Sequence, residues 1–359
     1  MQLKEIYPNS PCPCGSGTVF SKCCGPQVVN EMRHQVEQQN FPGPPLLKFE
    51  SGKHVFRIVG SRIFQRDRGE RLHAFTVHWL YWKFGLEWFK KQDSLPEEDR
   101  HIVARWLPLY WKWNNENYLS AQVGPNRKAD SPGVIREFIT LASDVYTLIL
   151  VEKIPKSLLD RLRDVRQYQG ARYEVAVAAA LVRAGFTISW KKGGGGSKIY
   201  EFDATHKKSN ETIAVEAKSK VRKGAIHEKG EIEPFNDARA DIIRLYNSAV
   251  SKRPNDKPFA VFIDINTPHD LTVIGPYETW TKQILSLIEK ESLFKDNESS
   301  EHSVLAITNS AWHYDGIGQT GDGRHILMWT EKAVQPIKHP HTLAAIQYAM
   351  TQFGIILDD

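Results

Sequence analysis

The chain has 359 residues, 41% hydrophobic and 25% charged, the balance of a globular protein with about two domains. No apolar run is long enough to cross a bilayer, and MQLKEIYPNS lacks the basic start and apolar core of a signal peptide. These features argue against a membrane protein and predict a cytoplasmic one. The net charge of +5 is unevenly spread: from Arg183 to Lys223 ten Lys or Arg stand against four Asp or Glu. Such a strip favours a polyanionic partner, nucleic acid being the commonest, with a solvated surface as the plainer explanation.

All four cysteines, Cys12, Cys14, Cys23 and Cys24, fall within CPCGSGTVFSKCC. Thiols are kept reduced inside cells, which argues against a disulfide framework. Four thiolates complete a tetrahedral shell for Zn²⁺ and leave no position for water, so the expected site is structural. GSG supplies a tight turn between the pairs. A segment this short has no core of its own, and metal binding would supply its folding energy, on the order of 10 kcal/mol. The segment resembles the SEC-C motif, C-x-C followed after eight residues by CC or CH. The resemblance ends at Pro26 and implies a docking module that contacts proteins or the ribosome, without a reaction of its own.

Next, VNEMRHQVEQQN and FPGPP read as a linker, and HVFRIVGSRIFQ as a short hairpin. From Glu70 the pattern turns helical. Phe75, Trp79, Trp82 and Leu86 recur at spacings of four, three and four, which predicts one apolar face. Six tryptophans lie between Trp79 and Trp113, interleaved with Lys83, Lys90, Lys91 and Lys112. Stacking on nucleic-acid bases is one use for such a stripe, but helical spacing favours packing. Residues 133–168 read as further helix.

The stretch 215–220, VEAKSK, places Glu216 and Lys218 on one face of a strand, because strand side chains alternate with a period of two. Upstream, KIYEFDAT carries Glu201 and Asp203 on one face, and the polar HKKSNE between the strands reads as a turn. The hairpin is expected to bring Asp203 and Glu216 together with Lys218 beside them. Neighbouring carboxylates repel unless a cation joins them, and hard oxygen ligands suit Mg²⁺ or Mn²⁺. Lys218 would orient a water or meet developing charge. Before this hairpin, Glu174 interrupts the Ala- and Val-rich helix GARYEVAVAAALVRAGF. A first-turn acid favoured by the helix dipole is the plain explanation; a metal or partner is the other.

The order is helix with Glu174, strand ISWKK, strand with Asp203, strand with Glu216-Ala217-Lys218, then helix NDARADIIRLYNSAV. It resembles the core of the PD-(D/E)XK nucleases over roughly residues 165–330. Asp203 matches the family's motif II acid, although Phe202 stands where Pro is usual. Glu216 and Lys218 match its E-x-K, and Glu174 the acid often found on the first core helix. The resemblance implies an α/β, restriction-endonuclease-like mixed sheet flanked by helices and metal-dependent cleavage of DNA, or of RNA, leaving 5′-phosphate ends. Defence against foreign nucleic acid would be a fitting setting.

Asp203 and Glu216 are then the expected ligands of the catalytic metal. Lys220, Arg239 and Arg244 are candidate phosphate contacts, although Arg239 and Arg244 lie about 140° apart around their helix. FAVFIDINT and SVLAITNSAW read as buried strands with a helix between them, and HTLAAIQYAMTQFGIIL as a closing helix. His313 and Asp315 in WHYDGIG read as a surface turn. GGGGS at 193–197 reads as a hairpin tip or the replacement of a longer loop. The layout expected is a zinc module at 1–28, a mainly helical, aromatic-rich region at 29–160 and a nuclease-like domain at 161–359. The competing expectations are a non-catalytic nucleic-acid-binding protein docked through the zinc module, and an adaptor whose basic strip meets an acidic protein.

Overall fold

The structure is a computed structural model that describes residues 4–119, 131–191, 199–222, 238–269, 278–291, 299–317, 320–321 and 323–357. GGGGS at 193–197 and Lys223 lie outside the described residues. Among the described residues, two sheets and ten α-helices make a mixed α/β architecture.

The first sheet is antiparallel. It is built from β1 (Lys4–Ile6), β2 (Lys48–Ser51), β3 (His54–Val59) and β4 (Arg62–Asp67), in the order β1-β4-β3-β2. The β3–β4 hairpin was expected; the two flanking strands are short and polar and gave no alternation to read. One face sends Phe56, Ile58 and Ile63 into a cluster with Phe20, Val28, Cys12 and Cys24. From the other face Val59 and Phe64 join the main core. The stretch expected as a linker holds a helix instead, α1 (Gly25–Glu37), with Pro26 in its first turn, where a missing N–H costs nothing. Its apolar contacts with that cluster come from Val28 and Met32 alone, too few to stand out against a polar sequence.

The helical region comprises α2 (Leu72–Phe84), α3 (Leu86–Asp93), α4 (Ile102–Asn114), α5 (Gly133–Leu150) and α6 (Lys156–Arg163). The face expected from four apolar residues is only half present: Phe75 and Trp79 are buried, but Trp82 is 49% and Leu86 52% exposed. There are two reasons. Every residue from Leu72 to Leu80 is buried, so this part of α2 has no wet face. The helix also ends at Gly85, whose φ of 88° breaks the periodicity before Leu86. Most of the tryptophan stripe is core, Trp79 and Trp106 most completely.

The second sheet runs β10-β9-β8-β7-β6-β5. Helix α7 (Tyr168–Arg183) leads into β5 (Phe186–Trp190), β6 (Phe202–His206) and β7 (Thr212–Ser219), joined antiparallel. Then α8 (Arg239–Val250), β8 (Phe259–Asp264), α9 (Thr279–Glu291) and β9 (Val304–Asn309) extend it in parallel. The final elements are the antiparallel β10 (Arg324–Trp329), which was not foreseen, and α10 (Pro340–Met350), which was. Alternation along the strands sorts two cores. Val215, Ala217, Ala260 and Phe262 join α5, α7 and α10, whereas Ala214, Val261 and Ile263 pack against α8 and α9. The first of these clusters is continuous from Val59 in the first sheet to Met350 in α10.

Candidate functional site

The four cysteines gather as their spacing predicts. Pro11 and Val19 form an antiparallel bridge, and the Gly15 N–H donates to the Cys12 carbonyl, so the chain folds back within the loop. Gly15 and Gly17 supply that turn with φ of 80° and 75°. The sulfur of Cys14 lies 3.3 Å from that of Cys12 and 3.4 Å from that of Cys23, with Cys23 and Cys24 4.0 Å apart. Zn–S bonds of about 2.3 Å place tetrahedral sulfurs about 3.8 Å apart, so the donor set and its size suit zinc. Hydrogen bonding from Ser16 lowers the Cys14 thiol to about 6, while burial pushes that of Cys24 up. Cys12 and Cys24 also belong to the apolar cluster on the first sheet, which anchors the module to the fold.

The second candidate site lies on the β6–β7 hairpin, whose existence was foreseen and whose register was not. Asp203 pairs with Ala214 and Phe202 with Val215, and the Glu201 N–H donates to the Val215 carbonyl. One step further along, Glu201 stands across from Glu216, and Asp203 is only its diagonal neighbour, with backbones ~7–8 Å apart. Lysines occupy the space between them. The Lys252 ammonium is 2.8 Å from Glu216 Oε1 and 3.4 Å from Glu201 Oε1, and that of Lys218 is 2.7 Å from Glu216 Oε1. Glu216 is 0% exposed. Its Oε1 is ion-paired with both ammonium groups, while its Oε2 is buried without a partner. Burial raises the Glu216 carboxyl above its ordinary range; Lys218 opposes the rise and Glu201 adds to it.

Asp203 is held elsewhere. It accepts from Lys191 at 2.5 Å, from the Tyr200 hydroxyl at 2.9 Å and from Lys257 at 3.3 Å. Burial alone would raise it, but these partners keep it below the usual carboxylate range. Glu174 is two turns into α7, not in the first turn, and is buried. Its oxygens accept from both terminal nitrogens of Arg161 on α6, at 2.7 and 2.6 Å. Burial nevertheless raises its carboxyl to about 7; Arg161 opposes, and the negative fields of Glu201 and Glu216 contribute. Among the described residues the cysteine set is the only group of three or more ligand atoms within 4.8 Å of one another. Glu174, Asp203 and Glu216 therefore do not meet at one point among the described residues.

The residues that complete this region, Glu201, Lys252, Lys257, Lys191 and Arg161, were not singled out as a site. Glu201 had a signal, since it shares the face of Asp203, but only the register shows which acid meets Glu216. Lys252 and Lys257 follow α8 and carry no local mark. Lys220 pairs with Asp241 at 2.8 Å, and Arg244, exposed, lies 3.6 Å from the same carboxylate. Arg239 begins α8 and is exposed. The turn read as a surface feature is buried instead. Trp312–Tyr314 is one 3₁₀ turn, with Trp312 inside and His313 and Asp315 directed inward. Asp315 accepts from His269 at 3.0 Å and from the Gly321 N–H at 2.9 Å.

Residues 9–26 match the SEC-C motif. No curated protein and no solved structure matches the chain. No helix among the described residues is long and apolar enough to cross a membrane.

Proposed function

We propose that this chain is a divalent-metal-dependent nuclease that acts on nucleic acid, DNA before RNA, and docks to a protein or ribosome through its cysteine module. The observation that carries the reading is Glu216: a fully buried carboxylate clustered with a second carboxylate, Glu201, and two ammonium groups, Lys218 and Lys252. Burying so many charges together is costly even when they are paired, and such clusters concentrate at functional sites. Glu201 and Glu216 offer hard oxygen donors, with Asp203 one strand position away, which suits Mg²⁺ or Mn²⁺. When bound, such an ion would lower the pKa of a water and stabilise charge on a phosphate oxygen. Glu216 and Glu201 would hold the ion once Lys252 swings aside. Lys218 would orient the attacking water or donate to the phosphate. Lys191, Lys257 and Lys252 form a cationic rim where a phosphate backbone would lie.

One observation favours the competing reading, a nucleic-acid-binding protein without turnover. Lys252 already bridges Glu201 and Glu216, as it would in a core that has traded its metal for an internal cation. A single panel separates the two. Single- and double-stranded DNA and RNA are incubated with Mg²⁺ or Mn²⁺ and the wild type, Glu216→Gln or Lys218→Ala. The nuclease reading expects metal-dependent cleavage that falls by about a hundredfold or more in either variant. It also expects Glu201→Gln to cost more than Asp203→Asn, in line with the strand register. Salt-sensitive binding with no cleavage under any ion would favour the second reading.

A further inference from the structure

The connection between α8 and β8 brings two lysines to the acids of the β6–β7 hairpin. The Lys257 ammonium meets Asp203 at 3.3 Å, an acid that Lys191 and Tyr200 also hold. The Lys252 ammonium lies between two carboxylates, 2.8 Å from Glu216 Oε1 and 3.4 Å from Glu201 Oε1. We infer that Lys252 is a tethered stand-in for the divalent ion: it closes the Glu201–Glu216 pair while no nucleic acid is bound, and it passes to a phosphate of the bound strand as the ion enters. The inference rests on the nuclease reading for the identity of the site and deepens it, because it makes occupancy by metal depend on substrate.

The place of the ammonium is the first support. Mg²⁺–oxygen bonds are about 2.1 Å long, so an ion held by the same two oxygens takes the space in which the ammonium now bridges them. The two cations compete by volume and by charge. Glu216 Oε2 is buried without a partner. The pair as Lys252 closes it therefore leaves a hard oxygen unused, which an ion with several coordination positions can take. The charge balance is the second support. Lys218 and Lys252 already offset Glu201 and Glu216, and Glu216 is fully buried. A divalent ion added to that set leaves two surplus positive charges around a buried group, which is costly. With the Lys252 ammonium moved out to a substrate phosphate one surplus charge remains, and a phosphate oxygen on the ion offsets it.

The tether is the third support. Lys252 follows Ser251, which caps α8, and its N–H donates to the Ala249 carbonyl in the closing turn. The backbone is held there, so the exchange needs only the side chain, whose flexible four-carbon stem carries the ammonium several ångströms. That side chain is 19% exposed and so has a way out to solvent. Lys218 sits on β7 itself, 2.7 Å from Glu216 Oε1, and stays beside the site when Lys252 leaves. Metal and phosphate then bind with positive coupling, and the coupling is reciprocal, since each removes part of the cost of admitting the other. A lysine with a purely structural role would keep its place, and Mn²⁺ would find no site with nucleic acid or without it.

The test measures Mn²⁺ binding to the zinc-loaded full chain from the electron paramagnetic resonance signal of the free ion. It is run with and without a phosphorothioate oligodeoxynucleotide, which resists cleavage, and the ion bound by the oligonucleotide alone is subtracted. Mn²⁺ is the weakest of the first-row ions at such sites and leaves the cysteine module to zinc. In the wild type the oligonucleotide should tighten Mn²⁺ binding about tenfold. Lys252→Met should tighten it about tenfold or more without oligonucleotide and leave less than about threefold for the oligonucleotide to add. Lys252→Arg keeps a tethered cation and should behave as the wild type does. Lys257→Met removes the same charge from the same connection but not from the Glu201–Glu216 pair, and should change the affinity by less than about threefold. Adding Glu216→Gln to Lys252→Met should abolish the gain. Thermal unfolding confirms that each variant is folded. Equal affinity of wild type and Lys252→Met overturns the inference, as does an equal gain from Lys257→Met or a gain that survives Glu216→Gln; each of these leaves the nuclease reading to the cleavage panel. Tighter Mn²⁺ binding in Lys252→Met with no cleavage in that panel keeps the inference and loses the nuclease. Failure of every variant to take up Mn²⁺ removes both.

Discussion

The cysteine module and the β6–β7 hairpin both gather charged or ionisable side chains, and they do so by different means. In the module the four sulfurs lie within thirteen residues, Cys12 to Cys24, and one turn of chain, so local spacing dictates the site. In the hairpin the groups come from α6, α7, the segment after β5, the start of β6, β7 and the segment after α8, and the strand register decides which acid meets which. The first kind of site can be read as a motif. The second is a property of the assembled sheet, and a shift of two residues exchanges one carboxylate for another.

Removing the metal tests the local half of this contrast and should have the largest effect. Chelation of zinc, or Cys23→Ser, is expected to remove on the order of 10 kcal/mol of folding free energy from residues 9–26. Hydrogen exchange should show that segment losing protection while β7 and β8 keep theirs. Unchanged protection in the segment would mean that its contacts with Phe56 and Ile58, not a metal, hold it. For the assembled half, Arg161→Ala leaves Glu174 buried without its guanidinium and should destabilise the protein by about 3 kcal/mol at pH 8. A denaturant midpoint no lower than that of the wild type would show the ion pair to be dispensable.

The smallest effect concerns pH. A carboxyl whose folded pKa lies above its unfolded value binds its proton more tightly in the native state. It favours folding below about 4.5 and loses that contribution as pH rises through about 7, where Glu174 is placed. The cost of Arg161→Ala should therefore shrink between pH 8 and pH 5, and Glu174→Gln should flatten the wild-type stability profile over the same window. Parallel profiles for wild type and Glu174→Gln would remove Glu174 from the titration.

What was legible in the sequence follows the same division. CPCGSGTVFSKCC gave its module because ligands and turn are contiguous. HKKSNE marked the β6–β7 turn, and alternation gave the correct face for Glu201, Asp203, Glu216 and Lys218. Pairing across strands was beyond it: period two fixes the side a residue faces and not its opposite number, so Asp203 was matched with Glu216 where Glu201 stands. Helix α1 was hidden because only Val28 and Met32 among its residues reach the core. His313 and Asp315 were hidden for the opposite reason, since a polar turn buried under tertiary contacts looks like any exposed one.

The apolar cluster that runs unbroken from Val59 to Met350 means that the aromatic-rich helices and the six-stranded sheet share one interior. A fragment cut between them would lay the apolar face of α7 open to water and is expected to aggregate on its own.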